Sequence, residues 1–341
     1  MEKLKKLGII LLPIILVTTL LFGIFYNQKS IKIGTICKKL QLIDINIDHN
    51  QALDVIETAK ENQIEIPDTV INFDTHSDLY VYQEISPKLG AEIYNWINEL
   101  VIKNPEIETI YWVMPKGEAT NAMMQYDFKQ RDIDNIPIAL EGNNKKNEDD
   151  VNPNVHQKAY TQDFIINTNN GYLEELAYKK DYEKLKQPNY KKFKLITCTE
   201  ETLPNFKNKK VFLSIDMDYL SNSGFDTSKD WSHNLKPQEV EQAYNKMITT
   251  IRNKNIQPQI ISLTLSPQYI PKSNEKQIQG IMEEFLYYSN GEDIIKEYTR
   301  RAGKPQVRKG QKNIKRYKKR NGYKAVPFYL IPLKELYPNK P

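Results

Sequence analysis

Cysteine is nearly absent: Cys37 and Cys198 are the two in 341 residues. That scarcity excludes a disulfide framework and any structural zinc site built from several thiolates. Two buried or half-buried free thiols are the expectation, and a single Cys37–Cys198 bridge is the alternative. Charge is absent from Leu7 to Tyr26, a run rich in Ile and Leu, and about 20 such residues match the hydrocarbon thickness of a bilayer. Lys3, Lys5 and Lys6 precede the run, as in an export signal or a signal anchor. No small-x-small cleavage pattern occurs between Phe22 and Gln28, so residues 1–29 read as an uncleaved membrane anchor rather than a signal that is removed. The basic tail predicts a single pass with the bulk of the chain outside the cytoplasm, although Lys29, Lys32, Lys38 and Lys39 on the far side weaken that asymmetry. Acidic residues are absent from Arg300 to Lys324, which carries twelve Lys and Arg. Such a segment attracts polyanions, whether nucleic acid, acidic lipid or acidic polysaccharide. No recognition motif accompanies it, and a solvated basic tail is the alternative.

What is present points to a folded α/β protein. With 40% hydrophobic and 27% charged residues and a net charge of +5, the chain can bury a sizeable core, and overall charge decides little. Short apolar runs at Leu42–Ile47, Thr69–Phe73, Thr109–Met114, Phe193–Cys198, Lys210–Ile215 and Ile260–Leu265 read as strands. Between them, helical spacing of apolar residues predicts helices over Ala52–Ala59 with Asn50 as cap, Lys88–Lys103, Gln238–Ile251 and Glu275–Tyr288. Strand and helix alternate, which argues for a three-layer αβα domain with a mainly parallel sheet over residues 30–299. Residues 119–190 lack periodicity and are rich in Asn, Lys, Asp and Tyr, so they read as an inserted loop system with a helix near Tyr172–Lys186. The terminal segment, residues 300–341, holds the basic run and an edge strand at Val326–Ile331.

Chemistry-bearing residues gather at the predicted strand ends. Phe73-Asp74-Thr75-His76-Ser77-Asp78 follows one apolar run, and in an extended chain Asp74, His76 and Asp78 share a face. Asp216-Met217-Asp218 ends another strand, and His49 follows a third. In parallel α/β sheets, ligands collect at the carboxyl ends of the strands. Four carboxylates in one place repel one another unless a cation joins them or some stay protonated. A mixed oxygen and imidazole set suits manganese or iron, with zinc also admissible. Lys116 and Glu118 lie just after the strand ending at Met114, though a solvated loop accounts for them as well. His156 reads as an ordinary loop histidine. His233, in the loop after Asp218, is the acid/base candidate by location, with a surface loop histidine as the alternative.

Asp48-His49-Asn50, Asp74-Thr75-His76-Ser77-Asp78 and Ser214-Ile215-Asp216-Met217-Asp218 resemble, in order, the three ligand motifs of the arginase and agmatinase family. The fuller runs Asn72 to Leu79 and Ser214 to Ser221 resemble still more closely an uncharacterised ureohydrolase-like family of that superfamily, which includes histone deacetylase-type enzymes. The resemblance covers roughly Ile43 to Pro271. It implies a binuclear manganese centre with His49 and Asp78 on one ion, His76 and Asp218 on the other, and Asp74 and Asp216 touching both. It also implies hydrolysis of a C–N bond, amide or amidine, in a small or peptide-like substrate. Three family features are missing: the acidic residue and proline after the Asp-x-Asp, the guanidinium-binding glutamate (Thr264-Leu265-Ser266-Pro267-Gln268 stands there), and a histidine soon after Asp78. A guanidino substrate therefore does not follow. Two other classes stay open: a metal-stabilised binding module acting through its basic end, and a membrane-tethered glycosyltransferase using Asp216-x-Asp218. The transferase leaves His49 and Asp74-x-His76-x-Asp78 without a role. A metallophosphoesterase lacks its companion Gly-Asp and Gly-Asn-His motifs.

Overall fold

A computed structural model describes residues 32–79, 95–115, 158–176, 181–221, 235–289 and 294–298. The anchor run 7–26, His156, His233, Lys116, Glu118 and the segment 300–341, with its predicted polyanion contact and edge strand, lie outside them. Among the described residues, no helix is long and apolar enough to cross a membrane.

Nine strands form one sheet: β1 (Leu42–Asn46), β2 (Thr69–Phe73), β3 (Thr109–Met114), β4 (Tyr160–Asn167), β5 (Leu173–Glu175), β6 (Tyr190–Thr199), β7 (Phe212–Asp216), β8 (Ile260–Thr264) and β9 (Ile295–Tyr298). Their order is β5-β4-β6-β3-β2-β7-β8-β1-β9. Every pairing from β6 across to β9 is parallel, and β4 runs antiparallel to both β5 and β6. Central strands buried on both faces read as near-continuous apolar runs, and β2, β7 and β8 are buried at every position.

Among the described residues, the helices that pack on the sheet include α1 (Ala52–Glu61), α2 (Trp96–Lys103), α3 (Pro237–Asn253) and α4 (Glu275–Tyr288). Apolar residues of α1 and α2 share a core with Leu42, Val70, Ile110, Phe212 and Ile260. Those of α3 and α4 pack with Ile43, Ile71, Phe73, Leu213, Ile215 and Leu263. Neighbouring strand residues point to opposite faces, so the two cores lie on the two sides of the sheet and the layers are α, β, α. On α3 the buried set Val240, Tyr244, Met247, Ile248 and Ile251 follows the three- and four-residue spacing of one helical face. Cys37 and Cys198 are free and buried, as expected from their scarcity.

Four expectations need correction. Among the described residues of Tyr172–Lys186 there is no α-helix: β5 stands at Leu173–Glu175 and a 3-10 helix at Asp181–Lys186. Of the predicted loop system at 119–190, residues 119–157 lie outside the described residues and the described part contributes β4, β5 and the start of β6; polar Thr161, Gln162 and Asp163, one strand in from the edge, hid that pattern, while Phe164 and Phe193 stack at 5.6 Å. Of the helix predicted over Lys88–Lys103, the described part is helical from Trp96, with Asn95 in a non-helical conformation, and residues 88–94 lie outside the described residues. Asn50 does not cap α1. It lies in a 3-10 turn, His49–Gln51, entered from Asp48, and Gln51 Oε1 accepts from the amides of Ile47 and Asp48 at 2.9 Å each.

Candidate metal centre

The sheet register brings the strand-end residues together. Phe73 pairs with Ile215, so Asp74 and Asp216 stand side by side at the carboxyl ends of β2 and β7. Asp216 in turn pairs with Thr264 of β8, which pairs with Asn46 of β1, three residues before His49. The chain first crosses from β1 to β2 and leaves a gap that β7 and β8 later fill. That reversal of strand order opens a crevice at the carboxyl edge.

Asp74, His76 and Asp78 do converge, but not through strand alternation. The strand stops at Phe73, and the His76 amide turns back to donate to Asp74 Oδ1 at 2.8 Å. Asp78 then adopts φ 49°, a left-handed conformation that costs a non-glycine residue about 1–3 kcal/mol. Trp96, at the start of α2, holds it there: the indole Nε1 donates to Asp78 Oδ2 at 2.6 Å and the Ile97 amide donates to Asp78 O at 3.3 Å. Ser266, after β8, is a second left-handed residue at φ 45° and donates its Oγ to Asp216 Oδ2 at 2.6 Å. Two strained residues thus aim groups at one cluster.

The cluster has two halves joined at Asp74. In the first, His49 Nδ1 lies 3.0 Å from Asp74 Oδ2, 2.7 Å from Asp78 Oδ2 and 3.1 Å from Asp216 Oδ2. In the second, His76 Nδ1 lies 2.8 Å from Asp218 Oδ2 and 3.8 Å from Asp74 Oδ1. His49, Asp74 and Asp78 form one potential ligand set, and Asp74, His76 and Asp218 another. Asp216 contributes Oδ2 to the first half while its Oδ1 accepts from the Asp218 amide at 3.2 Å. All six residues predicted as ligands therefore meet. All are buried except His76, whose side chain is 31% exposed.

Electrostatics make this cluster costly without a cation. Burial, then the neighbouring Asp78, pushes Asp74 up to about 7 against the pull of His49. Burial raises Asp216 with help from Asp218, and raises Asp218 with help from Asp74. Burial disfavours charge on both rings, yet Asp216, Asp74 and Asp78 hold the pKa of His49 well above its usual value. Asp218 foremost lifts His76 to about 10 in the same way. The cluster takes up protons because it lacks positive charge of its own. His49 Nδ1 and Asp218 Oδ2 are buried without a hydrogen bond of acceptable geometry. Donor atoms at 2.7–3.1 Å around His49 Nδ1 are at the ~3 Å spacing of adjacent ligands on a cation with bonds of ~2.1 Å. The donor set fits a metal ion: His49, Asp74, Asp78 and Asp216 could hold one.

A supporting tier lies one step deeper in the sheet, and strand-by-strand reading missed it. Asn72, Ser214, Ser262 and Asp44 are in register across β2, β7, β8 and β1 and all are buried. Ser214 Oγ lies 2.8 Å from His49 Nε2, Asn72 Nδ2 donates to Asp74 Oδ2 at 3.0 Å, and Asn46 Nδ2 donates to Ser262 Oγ at 2.7 Å. Groups of this kind orient metal ligands and select their tautomer. A signal was available: each strand carries a polar residue two positions before its polar end, as Asn72-Phe73-Asp74, Ser214-Ile215-Asp216, Ser262-Leu263-Thr264 and Asp44-Ile45-Asn46. Tyr269 was also missed. Its ring centre lies 4.8 Å from that of His76, and burial followed by the four site carboxylates raises its phenol pKa, so it remains a proton donor at neutral pH.

A scan against protein-family models finds no match to this chain. A search of curated proteins finds none either.

Proposed function

We propose that the protein is a metal-dependent hydrolase whose binuclear centre, of manganese or a similar divalent ion, activates water for attack on a C–N bond of an amide or amidine. The observation that carries this reading is the shared carboxylate: Asp74 faces His49 through Oδ2 and His76 through Oδ1. Two divalent ions would balance the charge of Asp74, Asp78, Asp216 and Asp218 with both imidazoles neutral, which relieves the repulsion that now drives proton uptake. His49 and Asp78 are assigned to one ion, His76 and Asp218 to the other, and Asp74 and Asp216 to both. Divalent ions bound there supply water activation and stabilisation of a developing oxyanion.

The chain's own residues do the rest. Ser214 fixes the His49 ring so that Nδ1 faces the ligands, and Ser266 and Trp96 set the angles of Asp216 and Asp78. Tyr269, beside the partly exposed His76, is the acid candidate among the described residues, in the role first assigned to His233. Location in a membrane through residues 7–26 and polyanion contact through residues 300–324 belong to the same proposal and rest on composition alone. The test is metal content together with turnover. Purified residues 30–341 are expected to bind two manganese ions per chain, to lose both in Asp74→Asn and Asp216→Asn, and to hydrolyse members of an amide and amidine panel. A protein that takes no metal sinks the reading, and full metal with no turnover on that panel favours the binding module instead.

A further inference from the structure

The chain enters the described fold on the edge of the sheet opposite the ligand cluster. Tyr26 ends the uncharged run, Lys32 opens the described residues, and a helical segment leads through the 3-10 turn Cys37–Lys39 into the amino end of β1. The backbone between Tyr26 and Lys32 spans at most on the order of 20 Å, the reach of a fully extended chain. The amino edge of the sheet is thereby tethered close to wherever the run 7–26 is embedded.

That edge has a charge pattern of its own. The segments entering β1, β7 and β8, residues 37–41, 204–211 and 252–259, carry seven Lys and Arg and no Asp or Glu. Backbone hydrogen bonds tie them side by side: the Gln41 amide donates to Gln259 O at 2.8 Å, and the Gln259 amide to Val211 O at 3.0 Å. Neighbouring strands lie ~4.8 Å apart, so Lys39 and Lys209, each two residues ahead of that row, stand on the order of 10 Å apart, about one Debye length at ~0.1 M salt. Lys210 turns to Glu65 and Lys254 to the carbonyl of Glu201. Lys38, Lys39, Lys207 and Lys209 are exposed, and none of the four forms an ion pair among the described residues. The acidic residues of this edge, Glu65, Asp68, Glu106 and Glu108, precede β2 and β3 on its other half.

An aromatic residue shares the basic half. Helix α4 runs from the carboxyl end of β8 back to the amino end of β9, where Lys296 Nζ donates to Leu286 O at 2.9 Å, so its last turn lies here. Tyr287 in that turn is 48% exposed and meets the ring of Tyr288 edge-on at 5.2 Å. Tyrosines settle at headgroup level, where one end of the ring is wet and the body is not. From the tether, the unpaired lysines and Tyr287 together, we infer that the amino edge around β1, β8 and β7 is a docking face for anionic lipid headgroups. The ligand cluster then faces water, one strand away from the lipid, ~17 Å for the five residues of β7. A bilayer is favoured over nucleic acid because the tether keeps it within reach. That preference rests on the anchor reading, whereas the charge pattern stands without it. Such a face is drawn to anionic headgroups in whichever leaflet it meets and is released as salt rises.

Amine-reactive labelling of the full chain, read by mass spectrometry, tests the face in nanodiscs of phosphatidylcholine alone and of an equal mixture with phosphatidylglycerol. Labelling of Lys38, Lys39, Lys207 and Lys209 is expected to fall about threefold or more in the anionic discs and to recover at ~1 M salt, where the Debye length is ~3 Å. Lys236 and Lys272, exposed on the segments that lead from β7 and β8 into α3 and α4, should label alike in both. The double variant Lys207→Glu with Lys209→Glu, on an exposed loop, should unfold at the wild-type temperature and lose the protection of Lys38 and Lys39. Equal labelling in the two discs, or wild-type protection in the double variant, overturns the face. Protection by duplex DNA in detergent, with none in anionic discs, assigns the edge to nucleic acid and overturns it as well. A chain that neutral discs do not retain, but that binds anionic vesicles through the same lysines, keeps the face and sinks the anchor.

Discussion

His49 Nε2 lies 2.8 Å from Ser214 Oγ, a contact across 165 residues that turns the other ring nitrogen, Nδ1, toward three carboxylates. The serine is wholly buried in β7, so its hydroxyl is shielded from bulk solvent and its contact falls on the imidazole. Its value lies in the orientation of His49.

Removing that hydroxyl should therefore act on metal binding before it acts on folding. In Ser214→Ala, manganese affinity is expected to fall about tenfold to a hundredfold, the usual effect of losing a partner behind a ligand. Competition titration with a coloured chelator measures it. Affinity within twofold of wild type would show that His49 is oriented by packing against Trp96, 4.7 Å away.

The metal-free protein should lose stability as pH rises. Asp74 binds its proton more tightly folded, at about 7, than unfolded, at about 4, so its contribution is complete at low pH and disappears between those values. His76 is raised from about 6.5 unfolded to about 10 folded, and its contribution is present below pH 6.5 and lost through pH 10. Both slopes have the same sign. Between pH 5 and 9, thermal unfolding of chelator-treated protein should shift downward, while manganese should stabilise more strongly at the higher pH because it competes with fewer protons. A midpoint that rises with pH in the metal-free protein would contradict the clustered geometry.

Tyr269→Phe keeps the ring against His76 and removes only the phenol. Under the hydrolase reading, kcat should fall about a hundredfold or more with metal content and KM nearly unchanged. A loss of metal in this variant would recast Tyr269 as a packing residue for His76.

Gln63 is an exposed residue at φ 59°, just past the C-cap of α1, where its amide donates to Lys60 O at 3.0 Å and the Ile64 amide to Ala59 O at 2.8 Å. Glycine adopts this helix-terminating conformation without a Cβ clash. Gln63→Gly should raise unfolding free energy by about 0.5–1 kcal/mol, read by urea denaturation, and leave manganese affinity as it was. It serves as a control that separates stability from the site.

Much of the fold was legible because its strands are short apolar runs between helices with clear apolar spacing. Thr69–Phe73 and Thr109–Met114 coincide with β2 and β3, and Glu275–Tyr288 coincides with α4. The misses share a cause. β4 sits near the sheet edge with Thr161 exposed and Asp163 bonded to Lys192 Nζ at 2.7 Å, and an edge strand needs no unbroken apolar pattern. β5 and β9 are three and four residues long, too short for periodicity to register.

Sequence by itself determined which residues are candidates: His49, Asp74, His76, Asp78, Asp216 and Asp218 stand at strand ends because polar side chains interrupt apolar runs there, and that is a local property. Which of them meet was decided by the sheet order and by backbone turns. Thr75 reaches Asp218 across 143 residues, and Asp78 and Ser266 turn through left-handed conformations that no local preference favours. Partners and angles exist only once β7 and β8 have closed the gap between β1 and β2, since non-local strand pairing, not the composition of any one segment, sets them side by side.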